Sequence, residues 1–171
     1  MPFKQIAVED YLVNAVTLFR DTWGLLTAGT PEKCNTMTVS WGMLGELWGE
    51  DAAMVFVRPQ RHTKLFLDAN ESFTLNFLPK GKEGKRVHGI CGVQSGRDTD
   101  KIALAGLTPQ PLEDTVCFAR AETVILCRKL AAQGFDPACF LSDIPHAMYP
   151  EKDYHTLYVG KIEQILVQVN N

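Results

Sequence analysis

The stretch NTMTVSW, residues 35–41, alternates polar and apolar side chains along its length. Hydroxyl groups occupy every second position and apolar groups fill the places between them: Thr36, Thr38 and Ser40 against Met37, Val39 and Trp41. Because side chains of a β-strand alternate between faces, the pattern predicts a strand. The hydroxyl row would span about 13 Å, comparable with a flat tricyclic ring. On this stretch alone, the spacing favours an amphipathic strand whose threonines face water, because threonine is a good strand former.

Other runs of strand character lie on both sides of this stretch: WGLLTAG (23–29), AAMVFV (52–57), SFTLNFL (72–78), ETVILCRKL (122–130) and YHTLYVGKIEQILVQV (154–169). Turn-forming residues separate them. In the last run the apolar residues change parity between Ile162 and Ile165, which predicts a β-bulge or a sharp bend.

Helical signals are few and short. TKLFLDAN predicts a helix that stops at Asn70, and DTDKIALAG predicts one capped by Asp98 and ended by Gly106. Many antiparallel strands with a few short helices predict a mainly β fold, a small closed barrel with helical decoration. A Rossmann sheet is not expected, because strands and helices do not alternate.

Composition narrows the class of protein. With 171 residues and no repeat or long linker, the chain predicts a single domain over residues 1–171. A net charge of −3 gives no support to nucleic-acid binding, and the basic run from Lys80 to Arg86 is expected to be a solvated loop. No uncharged apolar stretch reaches the ~18 residues of a membrane span, and the first residues lack the apolar run of a secretory signal.

Five cysteines without a Cys-x-x-Cys pair favour reduced thiols in a cytoplasmic setting. Cys91, Cys127 and Cys139 are expected to be small buried apolar residues. His88 and Cys91 lie three positions apart, but no second pair at a suitable spacing accompanies them, so no metal site is predicted.

A first candidate anion site lies in VRPQRHTK, residues 57–64. Arg58 ends an apolar strand and Pro59 turns the chain, while Arg61 and Thr63 precede a short helix. Guanidinium groups, a hydroxyl and free helix N–H groups suit a phosphate. The alternative is a solvated basic turn.

A second candidate lies in QSGRDTDK, residues 94–101. Ser95, Gly96 and Arg97 precede a predicted helix, and Lys101 lies inside it. Gly96 permits close approach of a ligand to the backbone, whereas a capping arrangement is the structural alternative. Together with the hydroxyl row, the two sites favour a phosphorylated aromatic cofactor, which would carry the chemistry because the usual nucleophile motifs are missing from the sequence.

The segments WGLLTAGTPEKCNTMTVSWGMLGELWG, VFVRPQRHTK, SFTLNF, SGRDTDK and YHTLYVGKI follow one another in this order. The ordered set resembles the flavin reductase-like family of FMN-binding split β-barrels, and in particular its flavoredoxin-like branch. Where the pattern has an aromatic residue this chain has His62, and Ile102 replaces the more common phenylalanine.

The resemblance implies a Greek-key antiparallel barrel that forms a homodimer, with FMN near the subunit interface. Carried over by position, the cofactor-binding residues are Asn35, Thr36, Met37, Thr38, Val39, Ser40 and Trp41 at the ring, and Arg58, Pro59, Arg61 and Thr63 at the ribityl chain and phosphate, with Ser95, Gly96, Arg97 and Lys101 as further candidates there. Asn76 matches a position beside the flavin. His155 matches a histidine near the nicotinamide side and is the one candidate catalytic residue.

The function implied is that of a flavoprotein oxidoreductase, in which NADH or NADPH reduces FMN and the flavin passes electrons to free flavin or to an acceptor protein. Thr38 and Ser40 are the expected hydroxyl contacts to the reacting part of the ring. A non-enzymatic FMN electron carrier and a barrel that binds another phosphorylated aromatic ligand are the alternatives.

Overall fold

The computed structural model describes residues 3–169, which form ten strands and five short α-helices. The strands are β1 (Phe3–Ile6), β2 (Gly24–Gly29), β3 (Cys34–Val39), β4 (Gly42–Leu47), β5 (Glu50–Val57), β6 (Ser72–Phe77), β7 (Pro109–Leu112), β8 (Thr115–Phe118), β9 (Thr123–Gly134) and β10 (Thr156–Gln168). The α-helices are α1 (Ala15–Thr17), α2 (Thr63–Ala69), α3 (Lys82–Val93), α4 (Lys101–Leu104) and α5 (Asp143–Ala147).

One antiparallel sheet dominates the fold, in the order β3-β2-β6-β9-β10-β5-β4, with β1 added alongside β10. Strands β7 and β8 form a separate hairpin. The predicted mainly β architecture with a few short helices is confirmed. Strand β3 is an edge strand of the sheet, and helices α2 and α3 contact it.

The sheet carries buried side chains on both faces. Leu26, Phe73 and Tyr158 belong to the main core, which the sheet curls around. Leu25, the neighbour of Leu26, instead packs with Val87 of α3 in a second cluster. Successive residues of β2 therefore point into two different cores, and α3 covers the face that a one-sided sheet would expose to water.

Strand β10 contains the predicted irregularity. Its pairing with β9 shifts register between Val159 and Gly160, and again between Ile162 and Gln164. A Cβ atom at Gly160 would lie 2.7 Å from Cζ of Phe73 and 2.8 Å from Cβ of Cys127. Glycine at the first shift therefore lets β10 approach the neighbouring strands closely.

Gly160→Ala is expected to destabilise the protein by about 1–3 kcal/mol, because the added methyl group overpacks against the buried Phe73 ring and Cβ of Cys127. Urea unfolding followed by circular dichroism measures the change. Gly134→Ala is the control, since a Cβ there meets nothing within 4 Å. Equal midpoints for the two variants would show that β10 tolerates the extra atom.

Helix α3 corrects one prediction from the sequence. The basic run from Lys80 to Arg86 is not a loop, because a helix begins at Lys82 and continues to Val93. Its apolar face appears only after the basic residues, at Val87 and Cys91, which are both buried. The exposed first turns therefore resemble a solvated loop in composition.

The start of α4 also differs from the prediction. The capping residue is Asp100, not Asp98, and its carboxylate accepts a hydrogen bond from the backbone N–H of Ala103 at 3.0 Å. Two aspartates two positions apart are equivalent by residue type, so the sequence does not distinguish them. Gly106 follows the helix with a positive φ of 68°, as predicted.

All five cysteines are free thiols. Cys91 and Cys127 are buried as expected, whereas Cys139 is exposed at the end of a short 3₁₀ turn, so that part of the prediction is wrong. Within residues 3–169, no helix has the length and apolar character needed to cross a membrane.

Candidate functional site

The hydroxyl row of β3 is used largely by the protein itself. Thr36 is buried, and its Oγ lies 2.8 Å from Oγ of Thr27 and donates to the carbonyl of Leu26 at 3.2 Å. Thr38 Oγ donates to the carbonyl of His88 at 2.7 Å. Ser40 lies beyond the strand end and is exposed. The Thr36 hydroxyl is thus engaged inside the protein, and the predicted contact of the row with a ring stays a prediction.

The end of β3 instead lines a small cavity of about 240 Å³, here called the ring cavity. Eight of its lining residues were predicted site residues: Met37, Thr38, Val39, Ser40, Trp41, Arg58, Arg61 and His155. The ninth, Phe56, was not predicted. Strand pairing accounts for this convergence, since β5 delivers Arg58 beside the start of β10, where Val57 pairs with Thr156.

The two arginines of the ring cavity have different partners. Arg58 is bound to the carboxylate of Asp153, donates to the carbonyl of Met148 at 3.0 Å, and lies over the ring of Tyr149. Arg61 donates to the carbonyl of Gly92 at 2.5 Å, and burial lowers its pKa. The charge of Arg58 is thus compensated by a carboxylate, whereas Arg61 has a neutral partner.

Three cations form what we call the cationic cluster: Arg61, Arg97 and Lys101. Among residues 3–169, no carboxylate oxygen lies within 4.0 Å of their side-chain nitrogens. Burial, reinforced by the charges of Arg97 and Lys101, lowers the pKa of His62. His62 Nδ1 is buried with no hydrogen-bond partner in the described chain. Cations without a carboxylate partner within 4.0 Å, together with an unpaired nitrogen, fit an anion.

Lys101 is the most buried of these cations, with 4% of its surface exposed. Its ammonium donates to the carbonyl of Gln94 at 3.1 Å and of Cys91 at 3.4 Å. Burial lowers the pKa of Lys101 to about 8, and the positive charge of Arg61 contributes in the same direction. The negative charge of a phosphate bound here would raise the pKa of Lys101 again.

Asn35 connects β3 to both predicted anion turns. Its Nδ2 donates to Oγ of Thr63 at 2.7 Å, which explains the buried position of Thr63 at the start of α2. A Cβ at Gly96 would lie 2.1 Å from Oδ1 of Asn35, so only glycine allows this approach. Asn35, Gly96 and Lys101 also line a polar cavity of about 510 Å³ on this side of the molecule.

Three other predicted residues contribute less directly. Pro59 is exposed at the turn and does not line the ring cavity. Ser95 Oγ accepts a hydrogen bond from the backbone N–H of Arg97 at 3.2 Å, which is the local structural role considered from the sequence. The Arg97 side chain is exposed.

Asn76, predicted to lie beside a flavin, has its side-chain amide engaged inside the protein, and its contact with the cofactor stays a prediction. Its side chain is fully buried, with 0% exposed. Nδ2 donates to Oγ of Thr74 at 2.9 Å and to the carbonyl of Leu25 at 3.3 Å, and Oδ1 accepts from the N–H of Phe118 at 2.9 Å. Asn76 therefore joins β6 to β2 and β8 inside the protein.

His155 lies between two aromatic residues at the ring cavity. Its ring centroid is 4.8 Å from that of Trp41, and Nδ1 lies 2.8 Å from the hydroxyl oxygen of Tyr149. Burial lowers the pKa of His155 to about 4, with a smaller effect of Arg58. The imidazole is therefore neutral at pH 7, and its orientation is held by Tyr149.

A larger cleft of about 810 Å³ adjoins the ring cavity and was not predicted. The two cavities share Ser40, Trp41 and Phe56 as lining residues. The remaining walls of what we call the apolar cleft are mostly aromatic or aliphatic, including Phe19, Met43, Phe135, Phe140, Ile144 and Met148. The only signal in the sequence is the concentration of apolar residues in GFDPACFLSDIPHAMY (134–149), a segment without strand periodicity.

Metal binding has no support in this geometry. Within the described ranges, no group of three or more histidine, cysteine, aspartate or glutamate side chains is placed to hold a metal ion. The site thus consists of a ring-sized cavity, a nearby cationic cluster and an open apolar cleft, an arrangement that fits a phosphorylated aromatic cofactor with one side accessible.

Solved structures with this fold include several flavin proteins. Flavoredoxin from Methanosarcina acetivorans superimposes with a TM-score of 0.69 at 20% identity, covering 96% of this chain and 76% of that one. An FMN-binding domain of a flavin reductases-like enzyme from Shewanella baltica gives 0.68 at 14% identity, covering 97% and 77%. An NADH:FAD oxidoreductase from Streptomyces globisporus gives 0.65 at 13% identity, covering 86% and 75%.

No curated protein sequence shows significant similarity to this chain. The flavin reductase like domain, in contrast, matches residues 18–171, which include every predicted cofactor-binding residue. The chain therefore belongs to the flavin reductase-like domain family.

Proposed function

We propose that this protein is an FMN-binding oxidoreductase of the flavin reductase type. Bound FMN would accept a hydride from NADH or NADPH and pass the electrons to a second acceptor. The observation that carries the proposal is the cationic cluster without a carboxylate partner, next to a cavity built from β3, Arg58 and His155. Family membership supports the same cofactor.

In this proposal the cationic cluster holds the FMN phosphate. Arg61 supplies a guanidinium that can form two parallel hydrogen bonds to phosphate oxygens, and Lys101 supplies a buried ammonium. The unpaired Nδ1 of His62 gives a further polar contact. The end of β3 would hold the flavin ring in the ring cavity, with backbone groups and the exposed Ser40 hydroxyl as polar contacts.

In this proposal His155 forms one edge of the ring cavity, with its imidazole held in a fixed orientation. A neutral imidazole fixed by Tyr149 offers a hydrogen bond without adding charge next to Arg58. No side-chain acid or base is needed for hydride transfer to a flavin, because the cofactor supplies that chemistry.

Anaerobic titration with NADH and with NADPH tests the reductase proposal. The protein loaded with FMN should be yellow, and one equivalent of the preferred nicotinamide should bleach the flavin absorption. A yellow protein that neither nicotinamide bleaches, although dithionite does, would indicate an electron carrier. A protein that stays colourless after incubation with FMN would remove both functions.

The lowered pKa of Lys101 predicts how the affinity for FMN depends on pH. Its pKa of about 8 means that the ammonium is charged below pH 8 and increasingly neutral above it. The dissociation constant for FMN should therefore rise between about pH 7 and about pH 9, because a neutral amine attracts phosphate less strongly. Fluorescence titrations at constant ionic strength measure this dependence.

Two variants separate Lys101 from other titrating groups. Lys101→Arg keeps a positive charge throughout this pH range and should remove most of the pH dependence. Lys101→Met should also remove it, with weaker binding at every pH. The same slope in wild type and Lys101→Met would assign the pH dependence to another group.

We also propose the homodimer that the resemblance implies. Leu12 and Val13 are exposed apolar side chains near the start of the described chain and lie outside the apolar cleft, and such residues are common at subunit interfaces. Light scattering on the purified protein should give twice the 19.1 kDa chain mass. A mass of one chain would contradict the dimer.

A further inference from the structure

The apolar cleft has a size and a position that the binding of FMN does not explain. Its volume of about 810 Å³ lies within the roughly 300–1,000 Å³ range of small-molecule sites. It adjoins the ring cavity, with which it shares Ser40, Trp41 and Phe56 as lining residues. A molecule in the cleft would therefore lie beside the flavin proposed above.

The charge of the lining indicates an uncharged occupant. Arg20 is the one charged residue among the lining residues, and its guanidinium is already bound to both oxygens of Asp21 at 2.8 and 3.0 Å. A nicotinamide dinucleotide or a second FMN would bring phosphate groups that this lining does not compensate. The cleft is thus poorly matched to either of these charged cofactors.

The lining also favours a planar molecule. Phe56 and Phe135 are stacked with ring centroids 5.6 Å apart, and Phe140 and Tyr149 are stacked at 6.0 Å with an angle of 18° between planes. These rings give the wall aromatic surfaces against which another aromatic ring can pack.

The two hydroxyl groups among the lining residues of the cleft both lie next to the ring cavity. Ser40 lines both cavities, and the Tyr149 hydroxyl is bonded to His155, which lines the ring cavity. An occupant with an apolar body and a carbonyl group would therefore place the carbonyl toward the flavin. The Ser40 hydroxyl can donate a hydrogen bond to such a carbonyl.

We propose that the apolar cleft binds the second electron acceptor, and that this acceptor is an uncharged aromatic quinone. The proposal rests on the proposed function, because the electrons come from FMN reduced by NADH or NADPH. Reduced FMN gives up two electrons and two protons and returns to oxidised FMN. Both quinone carbonyls become hydroxyl groups, so the overall reaction converts NAD(P)H, one proton and quinone into NAD(P)⁺ and hydroquinone.

Ile144 offers a test that leaves the fold intact. It lines the cleft from α5, and 78% of its surface is exposed. Ile144→Asp places a charge in the cleft, and Ile144→Trp fills part of its volume. Leu141→Asp is the matched control, because Leu141 lies in the same segment, is 99% exposed and does not line the cleft.

The experiment uses 2-methyl-1,4-naphthoquinone and protein loaded with FMN. Anaerobic reduction with one equivalent of dithionite avoids any need for nicotinamide, and stopped-flow absorbance follows the return of oxidised flavin. We expect rates that saturate with quinone concentration, with half-saturation raised at least tenfold in both Ile144 variants and unchanged in Leu141→Asp. Quenching of tryptophan fluorescence by quinone in the flavin-free proteins should rank the wild type and the variants in the same order of quinone affinity.

The outcomes separate the two proposals. A wild-type protein that does not retain FMN overturns the proposed function. A protein that retains FMN but is reoxidised at equal, non-saturating rates in all variants overturns the quinone site alone. If the Ile144 variants change the mass measured by light scattering and leave quinone affinity unchanged, the cleft is a contact between copies of the chain and the proposal is wrong.

Discussion

Arg61→Ala should weaken FMN binding about 10- to 150-fold. The Arg61 guanidinium has a carbonyl partner and no carboxylate partner in the described chain, so its charge is available to a phosphate. A hydrogen bond to a charged group contributes about 1.5–3 kcal/mol, which corresponds to that range of affinities. Riboflavin, which lacks the phosphate, should bind the variant and the wild type with the same affinity. Flavin fluorescence titrations measure all four constants.

Arg120→Ala is the matched control for charge. Arg120 is a surface arginine paired with Glu83 at 3.1 Å, and it lies outside the ring cavity and the cationic cluster. Its removal should leave FMN affinity unchanged. If Arg61→Ala and Arg120→Ala bind FMN equally well, or if riboflavin loses affinity in parallel with FMN, Arg61 does not hold the phosphate.

Asn76→Leu should destabilise the protein without flavin by roughly 2–5 kcal/mol. The substitution nearly preserves side-chain size but leaves the buried N–H of Phe118 without its acceptor. It also removes the Asn76 donor from the carbonyl of Leu25, which then keeps only the 3.4 Å side-chain contact from Oγ of Thr27. Each unsatisfied buried group costs about 1–3 kcal/mol. Urea unfolding of the flavin-free protein measures the loss directly.

Asn70→Leu provides the comparison for Asn76. The Asn70 amide makes one hydrogen bond, to the carbonyl of Phe66 at 2.8 Å, in a half-buried position at the end of α2. Its loss should cost about 1 kcal/mol. An Asn76→Leu protein as stable as the wild type but with weakened FMN binding would support the role beside the flavin that the resemblance implied.

Much of the architecture follows from local patterns. Alternation predicted the β3 strand, a parity change predicted the irregularity of β10, and TKLFLDAN predicted α2. The residue types in the two anion turns also indicated positive charge near a helix start. The structure adds that Asn35 connects these turns through Thr63 and Gly96.

The contacts of individual side chains did not follow from those patterns. The basic first half of α3 masks its helical pattern, so no local signal predicted that the backbone of this helix accepts a hydrogen bond from the Thr38 hydroxyl. Asn76 follows the alternation of a strand, yet its partners come from β2 and β8, far away in the sequence. The apolar cleft is lined by residues from four separate segments, a juxtaposition that only the folded chain reveals.

Equilibrium titration of the wild-type protein with FMN and with riboflavin tests the central claim most directly, since it asks whether the chain binds a flavin through its phosphate. We predict saturable quenching of flavin fluorescence at one FMN per chain, with riboflavin bound at least tenfold more weakly. The absence of any saturable change with FMN, or equal affinities for FMN and riboflavin, would contradict the assignment of the cationic cluster as the phosphate site.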